Sequence, residues 1–304
     1  MDRHLLRRVI VMEAMVAAVR SRYYSMHSKA FPVLAVLLLI LPVLPGETAE
    51  NISVEYMVDW SQSRISIIAE APIPSTRLNR ASARQQAIRN LDERMLQLLI
   101  EGIMHLRLDS GSTLADRQDG ARSLMQNIDE IYSNRIQEYS RVSSDLQSVQ
   151  LRYHFQLYPY IISSFISHDI ARPVPHRLGW APRAEYSGII IYAALHEIHG
   201  ALLPKIRSAD GTIVYDHSMV PPEILRTRGA VRYFTDPGST DISEHVGNTP
   251  VRITAVGGFG DTLTDVELAE RDVHAILSNP STRRAMQEGR IAIILSPETG
   301  ITRY

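Results

Sequence analysis

The sequence predicts an α+β fold: a small sheet with a helix pair, followed by a second mixed-sheet subdomain. Residues 50–165 combine short alternating apolar runs with long amphipathic helical patterns. Residues 184–298 are rich in short β-branched runs separated by turn residues. Residues 166–183 hold several prolines and no apolar periodicity, which is typical of a connection between subdomains.

The N-terminal subdomain begins with a predicted hairpin. Ser53–Trp60 and Arg64–Glu70 are β-branched runs that flank a short polar turn. Apolar residues then recur at spacings of three and four, which predicts one buried helix face; they are Ala83, Ala87, Leu91, Met95, Leu98, Gly102 and Leu106. The remaining predicted elements are a helix over 79–107 that carries this face, a second helix over 119–139, and a strand over 147–158.

The C-terminal subdomain is predicted from short apolar runs and one amphipathic segment. The Asp-Gly pair at 210–211 favours a hairpin turn. We expect Gly257–Gly260 to form a loose turn, and Thr264 or Asp265 to cap the helix that follows. The predicted strands are 186–195, 202–207, 212–215, 251–256 and 290–295, and the one principal helix is 268–277.

The N-terminal 49 residues have the features of a secretory signal. Phe31–Leu44 is an uncharged apolar run, shorter than the roughly 20 residues that span a membrane. Lys29 precedes it, and Pro45-Gly46 and small residues follow, so we expect cleavage between residues 46 and 49. Translation from Met26 would give a more compact signal. The alternative is an uncleaved anchor helix. Either way, the expected location is the periplasm or cell envelope.

Composition excludes several classes of function. Lys and Arg total 32 against 33 Asp and Glu, and the first 49 residues hold an excess of basic groups, so the remainder is slightly acidic. Nucleic-acid binding requires a basic surface and is not expected. Cysteine is absent, which excludes disulfides, thiolate metal ligands, a cysteine nucleophile and the acylated cysteine of a lipid anchor. Lys29 and Lys205 are the only lysines, and neither lies in a phosphate-binding loop motif.

Two motifs deserve comparison with known sites, and neither meets the requirements. His196, Glu197 and His199 resemble a zinc motif, but the histidines are three residues apart where a metalloprotease helix needs four. A third ligand would have to be His176 or His217. The glycines at 257–260 do not match a dinucleotide-binding fingerprint. The sequence therefore predicts no catalytic, cofactor-binding or metal-binding residues and no cofactor.

Spaced motifs in the second half carry a resemblance to a known family. They combine a tyrosine-small-glycine-aliphatic strand with a proline-basic-aliphatic step and an acid-glycine-x-x-valine-tyrosine turn. A similar alanine- and arginine-rich helix lies at 83–91 in the first half. Together they resemble a family of small bacterial envelope lipoproteins that includes the flagellar protein FlgP. The motifs are 186–195, 203–206, 210–215, 250–257 and 264–268.

The resemblance implies a non-enzymatic structural protein. Members of that family assemble into rings or disks around the flagellar motor or sit at the outer membrane. Since this chain lacks the lipid-bearing cysteine, the resemblance implies a periplasmic flagellar-motor accessory or ring component, with itself and other envelope or motor proteins as partners. The alternative is a periplasmic metal-dependent hydrolase or metal-binding protein that uses His196, Glu197 and His199. A third hypothesis is a ligand-binding module whose pocket lies under the Pro-rich connection.

Overall fold

The structure is a computed structural model that describes residues 52–74, 79–179 and 184–304. The predicted signal segment, residues 1–49, lies outside these residues. Within the described ranges, no helix combines the length and apolar character needed to cross a membrane.

The described residues of the N-terminal subdomain form six strands and two α-helices. Its elements are β1 (Ser53–Asp59), β2 (Arg64–Pro72), α1 (Arg80–Met104), β3 (Arg107–Asp109), β4 (Ser112–Thr113), α2 (Gln118–Ser133), β5 (Ile136–Val142) and β6 (Ser148–Gln156). A short helical turn, Leu157–Ile161, leads into the irregular connection.

The C-terminal subdomain alternates short strands and helices. Its elements are β7 (Ile189–Tyr192), β8 (Ile206–Ser208), β9 (Ile213–Tyr215), α3 (Pro222–Arg228), β10 (Arg232–Phe234), α4 (Thr240–Val246), β11 (Val251–Phe259), β12 (Asp265–Leu268), α5 (Glu270–Ser278), α6 (Pro280–Gln287), β13 (Ile291–Ile294) and β14 (Ile301–Arg303). The α+β architecture with two subdomains is as the sequence predicted.

The N-terminal sheet is antiparallel, with strand order β14-β1-β2-β6-β5. The predicted hairpin is confirmed: β1 and β2 pair along their length, with Val58 opposite Ile65. One face of the sheet packs against α1, where every predicted apolar position within the helix is buried. Asn79 begins α1 because its side chain accepts hydrogen bonds from the backbone N–H groups of Ala81 and Ser82. The alternating apolar residues of β1, β2 and β6 determine which face of the sheet α1 covers.

The second predicted helix is too long. It ends at Ser133, and residues 136–142 form the edge strand β5, so Tyr139 belongs to the sheet. The Tyr139 hydroxyl donates to Gln150 on the neighbouring strand at 2.8 Å. An edge strand with one solvated face has a weak apolar pattern, and pairing with β6 decides its conformation.

The C-terminal sheet is mixed, in the order β10-β13-β7-β11-β12-β8-β9. Strands β10, β13, β7 and β11 pair in parallel, and β11 with β12 is antiparallel. Ile189, Ile191, Ile291 and Ile293 are fully buried at its centre. Parallel strands covered on both faces require continuous apolar runs, which is why the sequence identified β7 and β13 clearly. Strand β7 is shorter than predicted and ends at Tyr192.

The glycine segment after residue 256 was wrongly predicted as a turn. Strand β11 continues through Gly257 and Gly258 to Phe259, with a register shift between Ala255 and Gly257. A Cβ on Gly258 would lie 3.1 Å from the Ile198 side chain, so glycine lets the strand pass close to it. Asp265 does not cap a helix: it begins β12, and Ala269 is the N-cap of α5.

The C-terminal half also differs from the prediction of one principal helix, since α3, α4, α5 and α6 all lie there. Nor is β13 the last strand. The chain continues into β14, which pairs with β1 in the N-terminal sheet, with Thr302 opposite Val58. The last strand of the chain thus completes the first sheet.

Candidate functional site at the junction of the subdomains

The small β3–β4 hairpin of the N-terminal subdomain meets the β8 region of the C-terminal subdomain. The backbone N–H of Leu202 donates to the carbonyl of Arg107 at 3.0 Å, and that of Leu203 donates to Leu108 at 2.8 Å. These bonds pair residues about a hundred positions apart. They place the polar loop after β3 directly against the start of β12.

Asp265 is the centre of this junction and is fully buried. Its Oδ2 accepts hydrogen bonds from the Ser110 hydroxyl and from Nε of Arg207, both at 2.8 Å. Its Oδ1 accepts from the backbone N–H of Lys205 at 3.1 Å. A buried carboxylate is stable only when paired and hydrogen-bonded, and Asp265 meets both conditions.

Asp109 is the second buried carboxylate of the junction. Its Oδ1 accepts from the Gly111 N–H at 3.1 Å and the Ser112 hydroxyl at 2.7 Å. Its Oδ2 accepts from Nζ of Lys205 at 3.0 Å and lies 3.7 Å from Arg117. Burial alone would raise the pKa of Asp109, but the hydrogen bonds from Ser112, Gly111 and Lys205 outweigh it and lower the pKa. Asp109 is therefore ionised and holds Lys205 in place.

A polar cleft of about 580 Å³ adjoins the junction. The first turn of α2 and the chain around Ser164 form one wall, and Leu203 and His217 contribute from the C-terminal subdomain. His217 lies beside His168, with ring centroids 5.9 Å apart. Nε2 of His168 donates to the Val220 carbonyl at 2.9 Å. The cleft lies where the Pro-rich connection begins, close to where a pocket was hypothesised.

The structure does not bring the zinc-motif residues into a metal-binding arrangement. They lie in the irregular segment after β7, and Nε2 of His196 donates to the Ala255 carbonyl at 2.9 Å. The Glu197 side chain is 77% exposed, and its Oε1 is 3.9 Å from Nε2 of His199. Burial lowers the pKa of His199. Among the described residues, no three His, Asp or Glu side chains are grouped to hold a metal ion.

The junction residues were not predicted as a site. The sequence predicts Thr264 or Asp265 as a helix cap, and Lys205 stands out only as one of two lysines. Ser110 and Asp265 are 155 residues apart, and no local pattern links them. The only signal of this site in the sequence is that Asp109 and Asp265 are isolated acidic residues next to apolar runs.

Fold and junction together define a two-subdomain α+β protein held together by buried carboxylates. Residues 51–164 match the family model for the N-terminal domain of Treponema pallidum Tp0624, and residues 188–297 match the model for its second domain. Both parts of this chain are thus similar to Tp0624 domains, in the same order. No curated protein matches the chain.

Proposed function

We propose that this chain is a non-enzymatic structural protein, exported to the periplasm or cell envelope, where it serves as a flagellar-motor accessory or a component of a ring or disk. The export signal and the FlgP-like motifs of the sequence support the location and the class. The observation that carries the structural role is that the buried charged groups of the junction are paired with one another.

At the junction, two side-chain contacts cross between the subdomains: Asp109 accepts a hydrogen bond from Lys205, and Ser110 donates one to Asp265. Arg207 lies in the same subdomain as Asp265 and pairs with its carboxylate there. The return of β14 to the N-terminal sheet adds a second connection. These connections between the subdomains favour a rigid structural protein over an enzyme, because an enzyme needs mobile groups with free lone pairs or protons.

The strands at the edges of both sheets are short or irregular. Strands β9, β10 and β14 have three residues each, and β5 carries a register shift at Glu138. Short or irregular edges with charged residues discourage indiscriminate strand addition. Homotypic assembly would therefore use side-chain surfaces, where geometry selects the partner and closes a ring.

The proposal is tested by deleting the gene and measuring motility together with electron cryotomography of the motor. We expect impaired swimming and loss of a periplasmic density, both restored by the wild-type gene. Normal swimming with an unaltered motor would overturn the flagellar role. Fractionation supplies the second test, because full-length chain in the cytosol would remove the export step.

Metal analysis of the purified mature protein distinguishes the competing hydrolase hypothesis from the structural one. Stoichiometric zinc that is lost in His196→Ala but kept in His105→Ala, an exposed histidine outside the motif, would contradict the structural role. We expect the zinc content of the wild type and both variants to be equally low.

A further inference from the structure

We propose that the cleft between α2 and His217 binds a neutral, polyhydroxylated small molecule, a mono- or disaccharide. The inference is independent of the structural role proposed above. Its basis is a cleft of about 580 Å³, within the range of small-molecule sites, with two polar side-chain atoms inside the protein that the described residues leave without hydrogen bonds.

The first of these atoms is Oγ of Ser164. Ser164 is 7% exposed and lines the cleft, and Oγ has no hydrogen-bond partner among the described residues. The adjacent Ser163 behaves differently, since its hydroxyl donates to the Pro159 carbonyl at 2.6 Å. A buried hydroxyl without a partner is costly, so its retention next to a cleft points to a ligand atom as the partner.

The second atom is Nδ1 of His217, which lines the cleft from the C-terminal subdomain. It is also buried and has no hydrogen-bond partner within the described ranges. Burial lowers the pKa of His217, and the nearby Asp216 opposes this effect only partly. The ring is therefore neutral at pH 7, and Nδ1 is a donor or an acceptor according to its tautomer.

The charges around the cleft decide the class of ligand. Asp109 lines the cleft, and its carboxylate pairs with Lys205 at 3.0 Å and lies 3.7 Å from Arg117. Asp116 and Asp119 also line the cleft as exposed carboxylates, and hydrogen bonds from Thr113 lower the pKa of Asp116. These carboxylates oppose the attraction that the N-terminus of α2 would exert on an anion. A neutral ligand is favoured.

The hydroxyl groups of a ligand match the polar side chains that line the cleft. Ser164 offers a hydroxyl, and His217 offers a ring nitrogen whose role is set by its tautomer. An alcohol both donates and accepts, so it satisfies either group without a change of charge. The cleft lining has further polar side chains, namely the serines at 123, 163 and 167 and Gln118. A sugar ring presents several hydroxyls at once and matches such a surface.

Titration of the mature protein with four probes tests the proposal: glucose, N-acetylglucosamine, cellobiose and N,N′-diacetylchitobiose. Binding is followed by saturation-transfer NMR and calorimetry. At least one probe should bind the wild type, and Ser164→Ala should weaken that binding about tenfold. The control is Ser133→Ala, at the far end of α2, where the hydroxyl donates to the Asp129 carbonyl; its affinity should equal that of the wild type.

Ser164→Ala has a second readout that needs no ligand. Because it removes a buried hydroxyl without a partner, we expect its melting temperature to equal or exceed that of the wild type. A clear fall would show that the hydroxyl stabilises the fold, which would overturn the ligand role. Failure of all four saccharides to bind would overturn the proposal as well. Binding of inorganic phosphate in their place, reduced by Ser164→Ala, would replace the saccharide by an anion.

Discussion

Trp60 donates its indole N–H to the Thr302 hydroxyl at 2.9 Å, so the end of the first strand is joined to the last strand across 242 residues. The bond is buried, and β14 pairs with β1 around it. The backbone N–H of Trp60 also donates to the Gly300 carbonyl at 3.0 Å. The chain cannot complete its first sheet until its last residues are in place.

Replacing Thr302 by Val should lower the free energy of unfolding by about 1–3 kcal/mol. Valine keeps the shape of threonine but removes the acceptor, so the buried indole N–H of Trp60 loses its partner. Chemical denaturation measures the loss. Thr302→Ser is the matched control and should remain closer to the wild type. A loss in Thr302→Ser with none in Thr302→Val would show that the methyl group, and not the hydroxyl, matters.

Replacing Gly200 by Ala should destabilise the protein by about 1–3 kcal/mol through overpacking. A Cβ at Gly200 would lie 2.2 Å from the Trp60 ring, which also packs edge-on against Tyr233 at 5.8 Å. Gly111→Ala is the control, because a Cβ there has no neighbour within 4 Å. Thermal unfolding should show a lower melting temperature for Gly200→Ala alone, and similar melting temperatures for the two variants would contradict the steric explanation.

Replacing Asp265 by Asn should cost about 3–5 kcal/mol, because it leaves the Arg207 guanidinium without its buried counter-charge. If the amide oxygen accepts from Ser110 and Arg207, the amide NH2 faces the backbone N–H of Lys205, a second donor. Glu267→Gln makes the same chemical change two residues along β12 at a half-buried position and should cost far less. Denaturant midpoints compare the two. A small loss in Asp265→Asn would mean that the junction contributes little to stability.

The stability of the protein should fall as the pH is lowered from 7 to 5, in part because of His245. Burial lowers its pKa to about 4, and the Arg228 guanidinium acts in the same direction. In the unfolded chain the histidine has a pKa of about 6.5 and takes up a proton in this range. The folded histidine does not, so lowering the pH favours unfolding. The expected contribution is about 2 kcal/mol between these two pH values.

His245→Gln isolates this contribution. Nε2 of His245 donates to the Ile291 carbonyl at 3.2 Å, and glutamine keeps a donor without a titrating group. The variant should show a flatter dependence of unfolding free energy on pH between 7 and 5 than the wild type. Parallel curves for the two proteins would show that His245 does not titrate differently on unfolding.

The sequence by itself determined the elements that carry their own periodicity. The Ala83-Ala87-Leu91-Met95 face fixed α1, and the alternation in β1, β2 and β6 fixed which side of the first sheet is buried. The continuous apolar runs fixed β7 and β13, because only strands covered on both faces need them. These signals are local, since each depends on residues within one or two turns or along one strand.

The tertiary structure alone decided the features that depend on distant partners. Strand β5 forms because β6 lies beside it, and Asp265 lies in β12 because Ser110 and Arg207 surround its carboxylate. Strand β14 joins the first sheet because Trp60 and β1 offer it an edge. The cleft beside His217 follows from the same packing. No local pattern specifies such contacts, because their free energy arises only after both partners have been brought together by the rest of the fold.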